Sequence, residues 1–174
     1  MIAALTLSAL SLGSITANGR TMDLNQIPGS YDYAEASIAV DPNPALGYQS
    51  AWIGSMSMAD GGSLIQIGWW WWSQGQEAIP FVQVWNGARE TVNPIINFPQ
   101  PVGGNEHVAL STVPGTSNWT AWLRVGSTMV PVWSGNAGVS AGHWEGATEA
   151  MPGTALPEMC YGAGLGNGVF TPNS

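Results

Sequence analysis

Positive charge is nearly missing from this chain, which has no lysine and only three arginines, Arg20, Arg89 and Arg124. The formal net charge at pH 7 is -8, and only 8% of the residues are charged. Proteins that bind nucleic acid neutralise phosphates with clusters of Lys and Arg, and anionic membrane surfaces attract the same residues. The composition therefore predicts no nucleic-acid partner and no membrane partner. So few charges in an acidic chain favour a secreted, extracellular protein.

Cysteine is almost absent, since Cys160 is the only one. A single cysteine cannot form an intrachain disulfide or build a thiolate zinc site. The only imidazoles, His107 and His143, stand in no recognisable motif with Cys160, so we interpret Cys160 as a buried thiol. His143 and Glu145 supply only two of the three ligands that a catalytic metal needs. We therefore predict no metal site and no cofactor.

Helical periodicity is also missing, because no long window has apolar residues at helical spacing. The chain has 23 glycines and 12 prolines, which break helices, and its apolar residues fall in short runs between turn residues. This pattern predicts an all-β fold in which two antiparallel sheets pack face to face as a β-sandwich. The predicted strands lie near residues 3–10, 33–40, 48–55, 63–72, 79–86, 106–112, 119–125, 128–133, 140–147 and 159–162.

The N-terminal segment, residues 1–19, is apolar and uncharged. Small residues at Ala17-Asn18-Gly19 suit a signal-peptide cleavage site, although the basic start of such a peptide is missing. The alternation of apolar and small polar residues suits an edge strand equally well. We expect residues 20–174 to form a single domain, because no linker or repeat divides them.

The most informative segment is a run of four tryptophans, Trp69 to Trp72, that follows Ile65-Gln66-Ile67-Gly68. In a strand, successive side chains point to opposite faces. Ile65, Ile67, Trp69 and Trp71 then share one face, which we predict to be core. Gln66, Trp70 and Trp72 share the other face. A single amide among indoles predicts a substrate groove with a polar group at its centre.

Two late glutamates are the best acidic partners for that amide. Glu145 and Glu149 follow a strand-like stretch with an aromatic residue, and alternation places both on one face with His143, opposite Trp144. A glutamate held among aromatic residues has a raised pKa, which suits general acid or base work. Gln66 paired with Glu145 or Glu149 could hydrolyse an acyl bond, with the amide donating to the oxyanion. Either glutamate could equally be an ordinary polar residue at the rim of a sheet.

Several of these segments, taken in order, resemble the neprosin family and, more distantly, the glutamic peptidases or eqolisins. Ile65-Gln66-Ile67-Gly68-Trp69 is similar to the family motif Ile-Gln/Glu-Ala-Gly-Trp, and His143-Trp144-Glu145-Gly146 resembles Trp-Gly-Gly-Glu-Val. Looser similarities lie at residues 31–40, 50–54, 118–123, 130–133 and 157–164. The resemblance implies a concanavalin-like jelly roll and a secreted endopeptidase that acts at acid pH.

The resemblance also implies two catalytic residues, a Gln or Glu on the early strand and a Glu near the C-terminus. Gln66 matches the first. The family glutamate would fall at Ala147, so that Glu145 lies two residues early and Glu149 two residues late. Either a β-bulge restores the register, or the site differs from that of the family. We predict Gln66, Glu145 and Glu149 as catalytic residues, a polypeptide as substrate, and Trp70, Trp72 and His143 as substrate contacts.

Two other functions fit the same residues. A non-catalytic β-sandwich could hold a glycan or a peptide, since indoles stack on sugar faces and a lone glutamine suits hydroxyl groups. A structural or surface-display protein could self-assemble through exposed apolar surface. Glycan binding would favour the first alternative and large oligomers the second.

Overall fold

The computed structural model describes residues 10–17, 20–27, 31–40, 48–57, 62–72, 78–87, 90–95 and 104–164. These ranges form twelve β-strands and contain no helix. The described part of the chain therefore holds no helix that is long and apolar enough to span a membrane. The strands are β1 (Leu10–Ala17), β2 (Arg20–Ile27), β3 (Tyr33–Val40), β4 (Tyr48–Ser57), β5 (Ser63–Trp72), β6 (Ile79–Trp85), β7 (Glu90–Pro94), β8 (Gly104–Thr112), β9 (Asn118–Val125), β10 (Thr128–Asn136), β11 (His143–Ala150) and β12 (Met159–Gly164).

The strands form two antiparallel sheets. One has seven strands in the order β1-β2-β11-β4-β5-β6-β7, and the other has five in the order β10-β9-β8-β3-β12. Sequence neighbours such as β4, β5 and β6 pair directly, whereas β11 returns late in the chain to lie between β2 and β4. The predicted all-β, jelly-roll sandwich of two packed sheets is confirmed.

The hydrophobic core lies between the sheets. Ile65, Ile67, Trp69 and Trp71 of β5 are fully buried in it, as alternation predicts. Trp119 of the five-stranded sheet meets Trp144 of the seven-stranded sheet edge to face, with ring centroids 5.7 Å apart. Each buried indole removes about 200 Å² from water, which favours folding by about 5 kcal/mol before entropic costs. Apolar burial therefore decides which face of each strand turns inward.

Some strand boundaries differ from the predictions. Of the strand predicted near residues 3–10, positions 3–9 lie outside the described residues, and β1 begins at Leu10. β2 and β7 were not predicted, because their sequences RTMDLNQI and ETVNP contain few of the residues that favour strands. β2 nevertheless pairs along both edges, with β1 and with β11. Pairing with two neighbours therefore outweighs weak local propensity.

The interpretation of Cys160 as a buried thiol is wrong. The residue lies on β12, the last strand of the five-stranded sheet, and its side chain is exposed. Cys160 pairs with Ser37, which pairs in turn with His107 on β8. Alternation along β12 turns Met159 and Tyr161 towards the core and Cys160 away from it.

Candidate active site

The face of the seven-stranded sheet that points away from the core, called here the outer face, carries the second set of side chains from β5. Gln66 and Trp70 lie on this face, as alternation predicts. A small apolar cluster of Trp52, Phe81 and Ala147 lies there too, with Trp70 and Met22 packed against it. The backbone of Trp72 pairs with Tyr48, but the Trp72 side chain lies outside the described residues.

One row of residues across the outer face is polar. Gly54 on β4 pairs with Gln66 on β5 and also with Glu145 on β11. The row continues to Gln26 on β2 and to Gln83 on β6. We call these five residues the polar row. Two strand spacings separate Glu145 from Gln66, so that their Cα atoms are about 9–10 Å apart with a glycine between them.

Gly54 keeps the space between the two side chains open from the β4 side. A Cβ atom at this position would lie 2.7 Å from the Ile65 carbonyl oxygen and 3.0 Å from the Gln66 Cβ. Any larger residue would therefore push against Gln66 or its strand. Gly68 is even tighter, because a Cβ there would lie 2.1 Å from the Ala51 carbonyl oxygen. The two glycines thus permit the close backbone approach on which the polar row depends.

Glu145 is the most strongly perturbed acid on this face. Its side chain is 2% exposed, and neither carboxyl oxygen has a hydrogen-bond partner among the described residues. Burial without compensating donors disfavours the charged form, which raises the pKa of Glu145 from 4.5 to about 7. Near neutral pH this carboxyl can therefore exchange a proton readily.

Gln66 is 5% exposed and is held by neighbours on the same face. Its Nε2 donates a hydrogen bond to Gln83 Oε1, and Gln83 Nε2 donates to Glu90 Oε1. Because an ionised carboxylate only accepts, Glu90 sets the direction of this chain of donors. Gln66 Oε1 is buried and has no partner in the described part of the chain. One N–H of the Gln66 amide is used by Gln83, and the second is available to a ligand.

Glu149 is on the same face but not in the polar row. It pairs with Ser50 on β4 and with Met22 on β2. Its Oε1 accepts a 2.8 Å hydrogen bond from the indole nitrogen of Trp52. β11 pairs without a register shift along both edges, so the bulge that we considered is not present in this strand. Glu145 is therefore level with Gln66, whereas Glu149 lies about 13 Å further along the strand.

Three aromatic residues form a cluster on this face, with Trp52 and Phe81 one row from the polar row and Trp70 one row further. Sequence reasoning identified only Trp70. Trp70 is half-buried and stacks on Phe81, with ring centroids 4.8 Å apart and planes 11° apart. Trp52 packs in the same cluster. Ser50, Trp52 and Gly54 are spaced two residues apart along β4 and therefore share one face. This alternation could have placed Trp52 on the outer face.

His143, the remaining predicted substrate contact, opens β11 and is exposed. It pairs with Met56 and lies on the same face as Glu145, one row away. The structure thus brings Gln66 and Glu145 into one row. It places His143, Trp70 and Glu149 on the same face outside that row.

Comparison with known proteins gives structural neighbours only. No protein-family model matches the chain, and no curated protein matches it significantly. The fold is similar to that of Scytalido-glutamic peptidase solved with a peptide-based transition state analog, with a TM-score of 0.55, 15% identity, and coverage of 89% of this chain and 76% of that chain. It is also similar to a native glycosidic hydrolase, with a TM-score of 0.50, 13% identity, and coverage of 85% and 77%. At such identities the likeness shows the fold alone.

Proposed function

We propose that this chain hydrolyses peptide bonds, with Glu145 as the general base and Gln66 as the oxyanion donor. The observation that carries the proposal is that both buried side chains flank Gly54 in one row of three paired strands. The likeness to a peptidase fold that holds a peptide-based analog supports a peptide as substrate.

The chemistry follows from three buried oxygen atoms, Glu145 Oε1 and Oε2 and Gln66 Oε1, which have no partners among the described residues. A water molecule between the two side chains would donate one hydrogen to Gln66 and the other to Glu145. Glu145 takes a proton as the water oxygen attacks the scissile carbonyl carbon. The second N–H of the Gln66 amide donates to the developing oxyanion. Glu145 then returns its proton to the leaving amine.

The pKa of Glu145 determines how the rate depends on pH. The base must start as a carboxylate, and burial raises its pKa to about 7. Activity should therefore rise as pH increases towards and through about 7. The resemblance to the glutamic peptidases implied cleavage at acid pH, so the pH profile separates the buried site proposed here from that expectation.

The apolar cluster beside the polar row would contact the substrate. Trp70 and Phe81 stack on one another, and Trp52 packs beside them. A substrate strand crossing the polar row would place apolar side chains against these rings. We retain Trp70, Trp72 and His143 as proposed substrate contacts, with Trp52 added to them.

The experiment measures the release of peptides from a denatured protein substrate at several pH values from about pH 3 to about pH 8. Gln66→Ala should lower kcat by about 100-fold to 1,000-fold, the usual loss for one oxyanion donor. Glu145→Gln should abolish turnover, whereas Glu158→Gln should not change it, because Glu158 is an exposed glutamate outside the outer face. Equal peptide release by wild type and Glu145→Gln would exclude Glu145 as the base.

A second candidate function is glycan binding on the same outer face. Trp85 ends β6 with 39% of its surface exposed, next to Gln83 and Glu90. An exposed indole beside amide and carboxylate groups suits a sugar ring and its hydroxyls. The likeness to a glycosidic hydrolase fold supports this alternative. Saccharide binding that is lost in Trp85→Ala, in a chain without peptidase activity, would favour it.

A further inference from the structure

A separate hollow lies on the other side of the sandwich, on the five-stranded sheet. It has a volume of about 480 Å³ and is bordered by β8, β9 and β10 and by the turn between β8 and β9. Alternation turns Trp119, Ala121 and Leu123 of β9 into the core, so Thr120 and Trp122 face outward into the hollow. The polar row is on the seven-stranded sheet, so the hollow and the proposed catalytic site face in opposite directions.

The lining of the hollow combines polar and apolar groups. The exposed Val113 borders it. The other outward side chains carry hydroxyls, primary amides and one indole, and they are Ser111, Asn118, Thr120, Trp122, Ser134 and Asn136. Among the described residues, no Asp, Glu, Lys, Arg or His borders it. A phosphate or nucleotide would find no positive charge here, and a purely apolar ligand would strip water from hydroxyls and amides without replacing their hydrogen bonds. These groups suit a ligand that is neutral and rich in hydroxyls.

The donors and acceptors of the hollow are already oriented. The Trp122 indole nitrogen donates to Ser111 Oγ at 3.0 Å, which fixes the ring plane. Ser134 Oγ donates to Thr120 Oγ1 at 3.2 Å, and the Thr120 hydroxyl keeps its own proton for a ligand. Such pre-ordered groups lose less entropy when a ligand binds.

The amide pair at the end of the hollow also keeps donors for a ligand. Asn136 Nδ2 donates to Asn118 Oδ1 at 3.4 Å, and Asn136 Oδ1 accepts from the Gly138 N–H at 2.9 Å. The Asn118 NH₂ group takes no part in these two bonds. Both side chains are exposed, so their amides are accessible from solvent.

The cross-strand neighbours of Trp122 are small, while Thr120 and Arg124 flank it on the same face of β9. Its partners in the row are Ala109 on β8 and Pro131 on β10. Neither residue has a side chain long enough to fold over an indole. The half-buried Trp122 ring lines the hollow, and an indole in this position suits the flat apolar side of a sugar.

We infer that this hollow is a binding site for a neutral saccharide, with Trp122 as the stacking platform and Asn118, Thr120 and Ser134 as hydroxyl partners. The site does not depend on the polar row. A chain with a peptidase site on one sheet and a saccharide site on the other could attach to a glycan while acting on a protein.

The test is binding to an array of neutral oligosaccharides that includes β-glucan, mannan and xylan fragments, followed by calorimetry with the best ligand. Trp122→Ala should weaken binding about tenfold or more, since it removes the stacking ring. Trp122→Phe should retain most of the affinity, and Asn118→Ala should weaken binding severalfold. Glu158→Gln, which changes an exposed glutamate outside the hollow, should bind as wild type does.

Two outcomes would overturn the inference. One is the absence of binding to every neutral oligosaccharide on the array. The other is binding that survives both Trp122→Ala and Asn118→Ala. Thermal unfolding of each variant shows that it is folded, and peptide release measured in parallel reports on the polar row separately.

Discussion

Glu145→Gln replaces the most buried acid of the outer face with a neutral side chain of the same shape. In the folded protein burial raises the pKa of Glu145 from 4.5 to about 7. One pKa unit corresponds to 1.36 kcal/mol, so the charged carboxylate destabilises the fold by about 3 kcal/mol. The glutamine variant carries no charge at any pH and escapes this cost.

The sign of the pH dependence follows from proton linkage. Between about pH 4.5 and about pH 7 the folded state holds the Glu145 proton and the unfolded state does not. Stability therefore falls as pH rises across this window. Below it both states are protonated and the contribution disappears, while above it the full cost is present. Glu145→Gln should equal wild type near pH 4 and exceed it by about 3 kcal/mol near pH 8.5, which for a chain of this length raises Tm by about 6–12 °C.

The assay is thermal and urea unfolding of both proteins at several pH values, with Glu158→Gln as the exposed control. Burial also raises the pKa of Glu35 and Glu106. These groups contribute equally to wild type and variant, and the difference between the two proteins isolates Glu145. If that difference does not change with pH, or if Glu145→Gln is less stable than wild type at about pH 8.5, the reasoning about its burial is refuted.

Three further predictions follow from the outer face. Gly68→Ala should destabilise the protein by about 2–3 kcal/mol in a urea titration, because the new Cβ would lie 2.1 Å from a carbonyl oxygen. Gly135→Ala is the control and should cost less stability in the same titration, because the atom nearest to its new Cβ is a Trp133 ring carbon at 3.3 Å. Trp52→Phe removes the donor to Glu149 and should cost about 1.5–3 kcal/mol, a loss that should shrink when measured in a Glu149→Gln background. Gln83→Leu leaves the Gln66 amide without its partner and should lower kcat about tenfold with little change in KM. A change confined to KM would contradict the idea that Gln83 positions Gln66.

The face assignments could be predicted from local alternation. Strand β5 shows this clearly, since Trp69 and Trp71 are in the core and Gln66 and Trp70 are on the opposite face. The same parity places His143, Glu145 and Glu149 together on β11. Alternation does not depend on long-range pairing, which is why these expectations needed no tertiary information. Weakly patterned strands such as β2 and β7 could not be found this way, because their strand state comes from pairing with neighbours.

The choice between Glu145 and Glu149 required the tertiary structure. The two residues have the same parity and the same residue type, so no local signal separates them. Only the register between β11 and β4, and between β4 and β5, places Glu145 opposite Gly54 and level with Gln66. Register is set by packing of whole strands across the sheet.

The amino-acid sequence by itself determined the sandwich class and which side chains each strand presents, because both follow from apolar alternation and turn residues. Tertiary structure decided which distant residues come into contact and how far their side chains are buried from solvent. The raised pKa of Glu145, the indole hydrogen bond to Glu149, and the oriented amides from Gln66 to Glu90 all depend on contacts between strands far apart in the chain.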